Sequence, residues 1–218
     1  MLKKAIIVGA SGLIGSELLD ILLQQSEDQE VLIFVRKELP ISNPKLVQLI
    51  VDFDKLDQWA DAIKGHALFS CLGTTKAKTP DESTYRKIDH DYPLQLAQIA
   101  HRNKMKQYHL VSAIGANVDS SIFYTKLKGE TERDIENVGI PTLHIYQPSF
   151  LEGRQKEKRP MEKVLTILMN VINPLLIGGL KKYRSIPAAT VARAMFKQSL
   201  KNEAGIFIHP SDKINLLA

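Results

Sequence analysis

The chain is poor in several features that would assign a protein at sight, and each absence excludes something. It has one cysteine, Cys71, in 218 residues, so no disulfide can close within it and a reducing compartment, the cytoplasm, is expected. A membrane-spanning helix needs about 20 mostly apolar residues. The longest apolar stretch, residues 164–180, is interrupted by Asn170, Asn173, Pro174 and a glycine pair. The six histidines (His66, His90, His101, His109, His144 and His209) show no metal-ligand spacing, so no metal is expected. There is no repeat, low-complexity linker or nucleic-acid motif, and the net charge of +5 comes from scattered lysines. Nucleic acid is therefore excluded as an expected partner. The apolar run after "MLKK" ends in glycines, unlike a signal peptide.

What is present is an alternation of apolar runs and helical patterns. Residues 5–8, 31–35, 46–51, 67–73, 107–112 and 141–148 read as strands, with a shorter one at "GIFIHP". Their continuous apolarity suits strands covered on both faces. Between them, helical spacing is expected at 14–22, 55–64, 84–103, with Pro93 kinking or dividing it, 124–137 and 190–200. Repeated βα units predict one α/β domain over residues 1–218, doubly wound around a mostly parallel, Rossmann-type sheet. Residues 150–190 or so would form a small substrate-side cap.

"IIVGASGLIGSELL" places Gly9, Gly12 and Gly15 between the first strand and first helix. Such a turn holds dinucleotide phosphate on backbone N–H groups and a helix N-terminus; the alternative is a tight turn that only packs helix on strand. The second strand ends in "FVRKE", with Arg36 and Lys37 where an acidic residue would bind ribose hydroxyls. An arginine there can stack on adenine and pair with a 2′-phosphate, which favours NADP(H) over NAD(H). A solvated strand-end arginine is the plainer alternative.

A third set lies downstream. Ser112 ends the fifth strand, and Tyr124 and Lys128 stand four apart at the start of a helix. Residues at i and i+4 share a helix face, and a neighbouring ammonium favours the phenolate, moving a tyrosine toward acid–base work. A serine hydroxyl nearby suits a substrate carbonyl oxygen.

Together with "CLGTT" (71–75), "LVSAIGA" (110–116), "YTKLKGE" (124–130) and "YQPSFLEGRQKEKRP" (146–160), these features resemble the short-chain dehydrogenase/reductase superfamily over nearly the whole chain. The resemblance is to the atypical branch containing the Tat-interacting oxidoreductase-like (NmrA-like) proteins and their bacterial relatives. It implies that Gly9, Ser11, Gly12, Leu13, Ile14 and Gly15 cradle the pyrophosphate. Arg36 with Lys37 would meet the adenosine phosphate, and Asp52 with Phe53 the adenine. Leu72, Gly73 and Thr74 would line the ribose side, and Pro148 would border the nicotinamide. Tyr124 and Lys128 would hold the nicotinamide ribose and supply the proton, with Ser112 orienting the carbonyl. Two positions depart from the pattern: Asp89 stands where a relay asparagine is frequent, and Ala113 where a second serine is frequent.

The expectation is an NADP(H)-dependent reductase or dehydrogenase for a small carbonyl/alcohol substrate, acting as monomer or homodimer. The rival is an NADP(H)-binding regulatory module without turnover. Cys71 is expected to be inert packing, and Arg154 and Arg159 a solvated charge run rather than anchors for an acidic substrate. The 164–180 segment is expected to cap the pocket in preference to touching a membrane surface.

Overall fold

The central strands of the sheet alternate their side chains between two buried faces, each covered by helices, while the two edge strands are partly exposed. A computed structural model of the chain describes residues 3–25, 29–152, 173 and 176–218. Its strands are β1 (Lys3–Val8), β2 (Gln29–Val35), β3 (Leu46–Ile50), β4 (Ala67–Ser70), β5 (Gln107–Val111), β6 (Thr142–Gln147), β7 (Leu151–Glu152), β8 (Ile186–Pro187) and β9 (Gly205–Pro210). Seven of them form one parallel sheet in the order β3-β2-β1-β4-β5-β6-β9, while β7 and β8 pair separately. The chain winds outward from β1 to β3, then returns to β4. The order reverses between β1 and β4, which is where such sheets open a crevice at the carboxyl ends of their strands.

On one face, α1 (Leu13–Leu23), α5 (Ala188–Ser199) and α6 (Ser211–Leu217) pack on Ala5, Ile7, Val31 and Ile33. In α1 the buried Ile14, Leu18, Leu19 and Leu22 repeat at helical spacing. On the other face, Ile6, Val8, Leu32, Phe34, Leu68 and Tyr108 meet a 3-10 segment (Phe53–Ala62), α3 (Tyr92–Arg102) and α4 (Phe123–Glu136). The helix expected near 55–64 is thus a 3-10 segment, started by Asp52, whose side chain accepts from Asp54 N–H at 3.0 Å.

The helix expected over 84–103 runs as α2 (Glu82–Arg86), a π-helical segment (Lys87–Asp91) and α3. Pro93 lies in the first turn of α3, and the irregularity falls just before it. A proline has no N–H for the carbonyl four residues back, here that of Asp89. That carbonyl instead accepts from the Thr131 hydroxyl of α4 at 3.1 Å. Strand β4 stops at Ser70 instead of continuing to Gly73, and helix α6 had no counterpart in the sequence pattern. Of the expected cap, residues 153–172, 174 and 175, including Arg154 and Arg159, lie outside the described residues.

Candidate functional site

The crevice starts at Gly9. Its φ of +88° lies in the left-handed region, and a Cβ there would sit 2.5 Å from the Cys71 carbonyl oxygen. The turn is closed by Gly12 N–H donating to Gly9 C=O at 2.9 Å. Gly15, one turn into α1, would place a Cβ 2.9 Å from the Gly9 carbonyl carbon. Helix α1 begins at Gly12 with no side-chain cap and no acidic residue in its first turn. Its free N–H groups and partial positive charge therefore face outward from a cradle that side chains would fill. Ser11 and Gly12 are exposed, Leu13 is partly so, and Ile14 and Gly15 are buried. The arrangement fits a bound pyrophosphate.

Arg36 and Lys37 follow β2 and are exposed at its carboxyl end. Asp52 is exposed beyond β3 and lies 3.5 Å from Lys55, while Phe53 is buried with its ring 5.5 Å from that of Tyr92. Cys71 N–H donates to Val8 C=O at 2.8 Å, so the "CLGTT" loop leaves β4 directly beside the glycine turn. Cys71 packs partly buried against the α1-side core, and burial pushes its thiol up to about 12, as inert packing requires. Leu72 and Thr74 are half-buried and Gly73 is exposed.

From that loop a chain of contacts reaches α4. Thr74 N–H donates to Asp89 Oδ2 at 2.8 Å, and the other Asp89 oxygen, Oδ1, lies 2.8 Å from Lys128 Nζ. The side chains of Lys128 and Asp89 are only 6% and 1% exposed. Burial pulls the ammonium down, yet the charge of Asp89, with Tyr124 and Glu132 adding to it, leaves Lys128 above the ordinary lysine value. Tyr124 is 40% exposed on the same helix. The pair named from its spacing is thus one buried cation and one accessible phenol. The ammonium that was to act on the phenol alone is shared with a carboxylate.

Ser112 follows β5, with N–H donating to Tyr146 C=O at 2.7 Å. Its hydroxyl is buried and makes no well-formed hydrogen bond. The Glu132 carboxyl is its neighbour: burial pushes that group above the usual carboxylate range, against the pull of Ser112 and Gln147. Gln147 Nε2 donates to both Glu132 oxygens at 2.9 and 3.0 Å. Pro148 is buried, and its carbonyl accepts from Ile114 N–H at 3.0 Å. Sequence reasoning missed Glu132, although Tyr124, Lys128 and Glu132 repeat every four residues and that spacing was available. It also missed the direct Asp89–Lys128 contact, for which the only signal was the replacement of asparagine by a charge. Among the described residues no cluster of histidine, cysteine and carboxylates could hold a metal, and no helix is long and apolar enough to cross a membrane.

Residues 9–166 match the NAD(P)H-binding family. The chain is 32% identical to Protein HTATIP2 of Rattus norvegicus over 207 residues, covering 93% of this chain and 84% of that protein. It is 30% identical over 225 residues to a mitochondrial FMP52 protein of Coccidioides immitis, covering 97% and 92%. Among solved structures, the Bordetella bronchiseptica enzyme WbmH bound to NAD+ superposes with a TM-score of 0.72 at 14% identity, covering 96% of this chain and 75% of that one. A UDP-N-acetylglucosamine 4-epimerase of Methanobrevibacter ruminantium gives a TM-score of 0.71 at 18% identity, covering 95% and 76%. Those two likenesses show the Rossmann-like fold. The chain belongs to the NAD(P)H-binding family, as a homologue of the HTATIP2 and FMP52 proteins within the atypical short-chain dehydrogenase/reductases.

Proposed function

We propose that the protein is an NADP(H)-dependent oxidoreductase that interconverts a small-molecule carbonyl and its alcohol. The observation that carries this reading is that α4 bears an exposed phenol and a buried ammonium, the ammonium tied through Asp89 to the loop beside the glycine turn, with the buried Ser112 hydroxyl against Glu132 of the same helix. A cofactor-only site has no use for the hydroxyl.

In this reading the glycine turn and the N-terminus of α1 hold the pyrophosphate, and Arg36 with Lys37 meets the 2′-phosphate, the group that separates NADP(H) from NAD(H). The bound cofactor would supply a hydride to the carbonyl carbon in reduction, or take it from the alcohol carbon in oxidation. Tyr124 gives its hydroxyl proton to the carbonyl oxygen during reduction and takes it back during oxidation. Ser112 donates a hydrogen bond to that same oxygen, turning to it from the Glu132 carboxyl. Lys128 holds the nicotinamide ribose through its ammonium.

The test is Tyr124→Phe. With a panel of aldehydes, ketones and quinones, the natural chain oxidises NADPH, and the variant loses turnover while binding NADPH as before. Unchanged turnover in the variant removes the mechanism. Tight NADPH binding with no oxidation of any panel member supports the regulatory alternative. A cytoplasmic location belongs to the same reading, to be set by cell fractionation because the fungal relatives are named as mitochondrial proteins.

A further inference from the structure

A buried lysine normally surrenders its proton, because taking an ammonium out of water costs several kcal/mol unless a counter-charge is fixed beside it. Lys128 has such a partner, and it comes from another element. Asp89 sits inside the π-helical segment, among the least exposed charged groups of the described chain, with one oxygen on Lys128 Nζ and the other on Thr74 N–H, both at 2.8 Å. The segment meets α4 a second time at the Thr131 hydroxyl, whose one proton is shared between the carbonyls of Leu127 (2.8 Å) and Asp89 (3.1 Å). Tyr85, on α2, closes the same loop from above by donating to Thr74 C=O at 3.1 Å.

We propose that Asp89 is the positioning residue that keeps Lys128 a cation at the nicotinamide end of the site and locks it to the "CLGTT" loop. This rests on the function proposed above. Where an asparagine would act through water and leave the lysine to its surroundings, the carboxylate here touches the lysine directly. The groups facing Lys128 are Asp89 from the π-helical segment, Tyr124 and Glu132 from its own helix, with Tyr85 from α2 interacting in turn with Asp89 and Tyr124. Glu132 does not replace Asp89. Both its oxygens already accept from Gln147.

Asp89→Asn keeps an oxygen for Thr74 N–H and removes the charge. Burial then acts on Lys128 with less opposition, and the ammonium is lost as pH rises. NADPH affinity is read by the fluorescence of bound NADPH at about pH 7 and about pH 9, above the titration of the 2′-phosphate near about 6. The natural chain should change little between them. Asp89→Asn should be weaker by about tenfold or more at the higher pH, the size of a lost charged hydrogen bond. There it should match Lys128→Met, and the double variant should be no weaker than Lys128→Met alone.

Asp89→Asn that follows the natural chain at the higher pH overturns the inference. So does a double variant markedly weaker than Lys128→Met, which would assign Asp89 to the loop alone. If Asp89→Asn fails to fold, the double variant decides: recovery of folding shows that the lone buried ammonium was the fault, and no recovery overturns the proposal. A natural chain that binds no NADPH ends the proposed function itself, a result distinct from either.

Discussion

Gly15 stands against the carbonyl of Gly9, so close that a Cβ would lie 2.9 Å from the Gly9 carbonyl carbon and overlap its oxygen. Two residues that are six apart in sequence are thereby forced to be glycine for different reasons, one by its positive φ and one by crowding.

Gly15→Ala sets two effects against each other. Alanine is favoured over glycine within a helix by about 1 kcal/mol. Against that, the clash is with backbone, which no side-chain rotation relieves, and overpacking of this kind costs about 1–3 kcal/mol. The clash should win. A lower midpoint of thermal unfolding is expected, with NADPH affinity reduced further because the turn itself must shift. A variant as stable as the natural chain and equally able to bind NADPH would mean that the turn yields freely.

Ser112 invites the opposite outcome in stability. Its hydroxyl is buried with no well-formed hydrogen bond, and its neighbour Glu132 keeps both bonds from Gln147 when the hydroxyl is removed. Ser112→Ala should leave stability unchanged or raise it by up to about 1 kcal/mol. Turnover should fall on the order of a hundredfold, the usual cost of one hydrogen bond to a developing oxyanion. Denaturant unfolding and steady-state rates on the same preparation check both halves.

The sheet and the glycine turn were legible in the chain because their signals are local. Ile6, Val8, Leu32 and Phe34 lie in uninterrupted apolar runs, and Gly9 follows directly after one of them. That Tyr124 and Lys128 lie on one helix, one turn apart, was legible for the same reason. Asp89 was not, because its partners are Thr74 and Lys128, 15 and 39 residues away. No periodicity encodes a contact between a π-helical segment and two other elements. The segment itself was legible only as a proline within a helical pattern, which pointed to Pro93 and not to the turn before it. Helix α6 escaped because seven residues carry too little pattern to separate a helix from a loop.

Arg36 is exposed and follows β2, so its loss should not disturb the fold. If it meets the 2′-phosphate, Arg36→Ala should weaken NADPH by about tenfold, the size of a lost charge-assisted contact, while NADH changes much less. Equal losses for the two cofactors would mean that Arg36 serves the adenine or the general field, and that the preference is set elsewhere. Titration of both cofactors against both proteins gives the four constants needed.

The buried histidines should set the acid limit of stability. Phe69, His109, His144 and Phe207 pair in register across β4, β5, β6 and β9; Phe69 is tilted against His109 at 4.6 Å, and the rings of His109 and His144 (4.7 Å) and of His144 and Phe207 (4.9 Å) stack. Burial, reinforced by the neighbouring histidines, holds His109 well below the ordinary value, and burial with nearby positive charge holds His144 and His209 at about 4. An unfolded chain takes these protons near about pH 6.5 while the folded one refuses them. Below that pH the unfolded state binds more protons, so stability should fall as pH drops from about 6.5 toward about 4, by up to about 1.4 kcal/mol per pH unit for each such histidine. His144→Phe keeps a flat ring in the row and removes one of these protons. Its stability, measured by denaturant unfolding across the same window, should decline less steeply than that of the natural chain; an equal slope would show that the row does not set the acid limit.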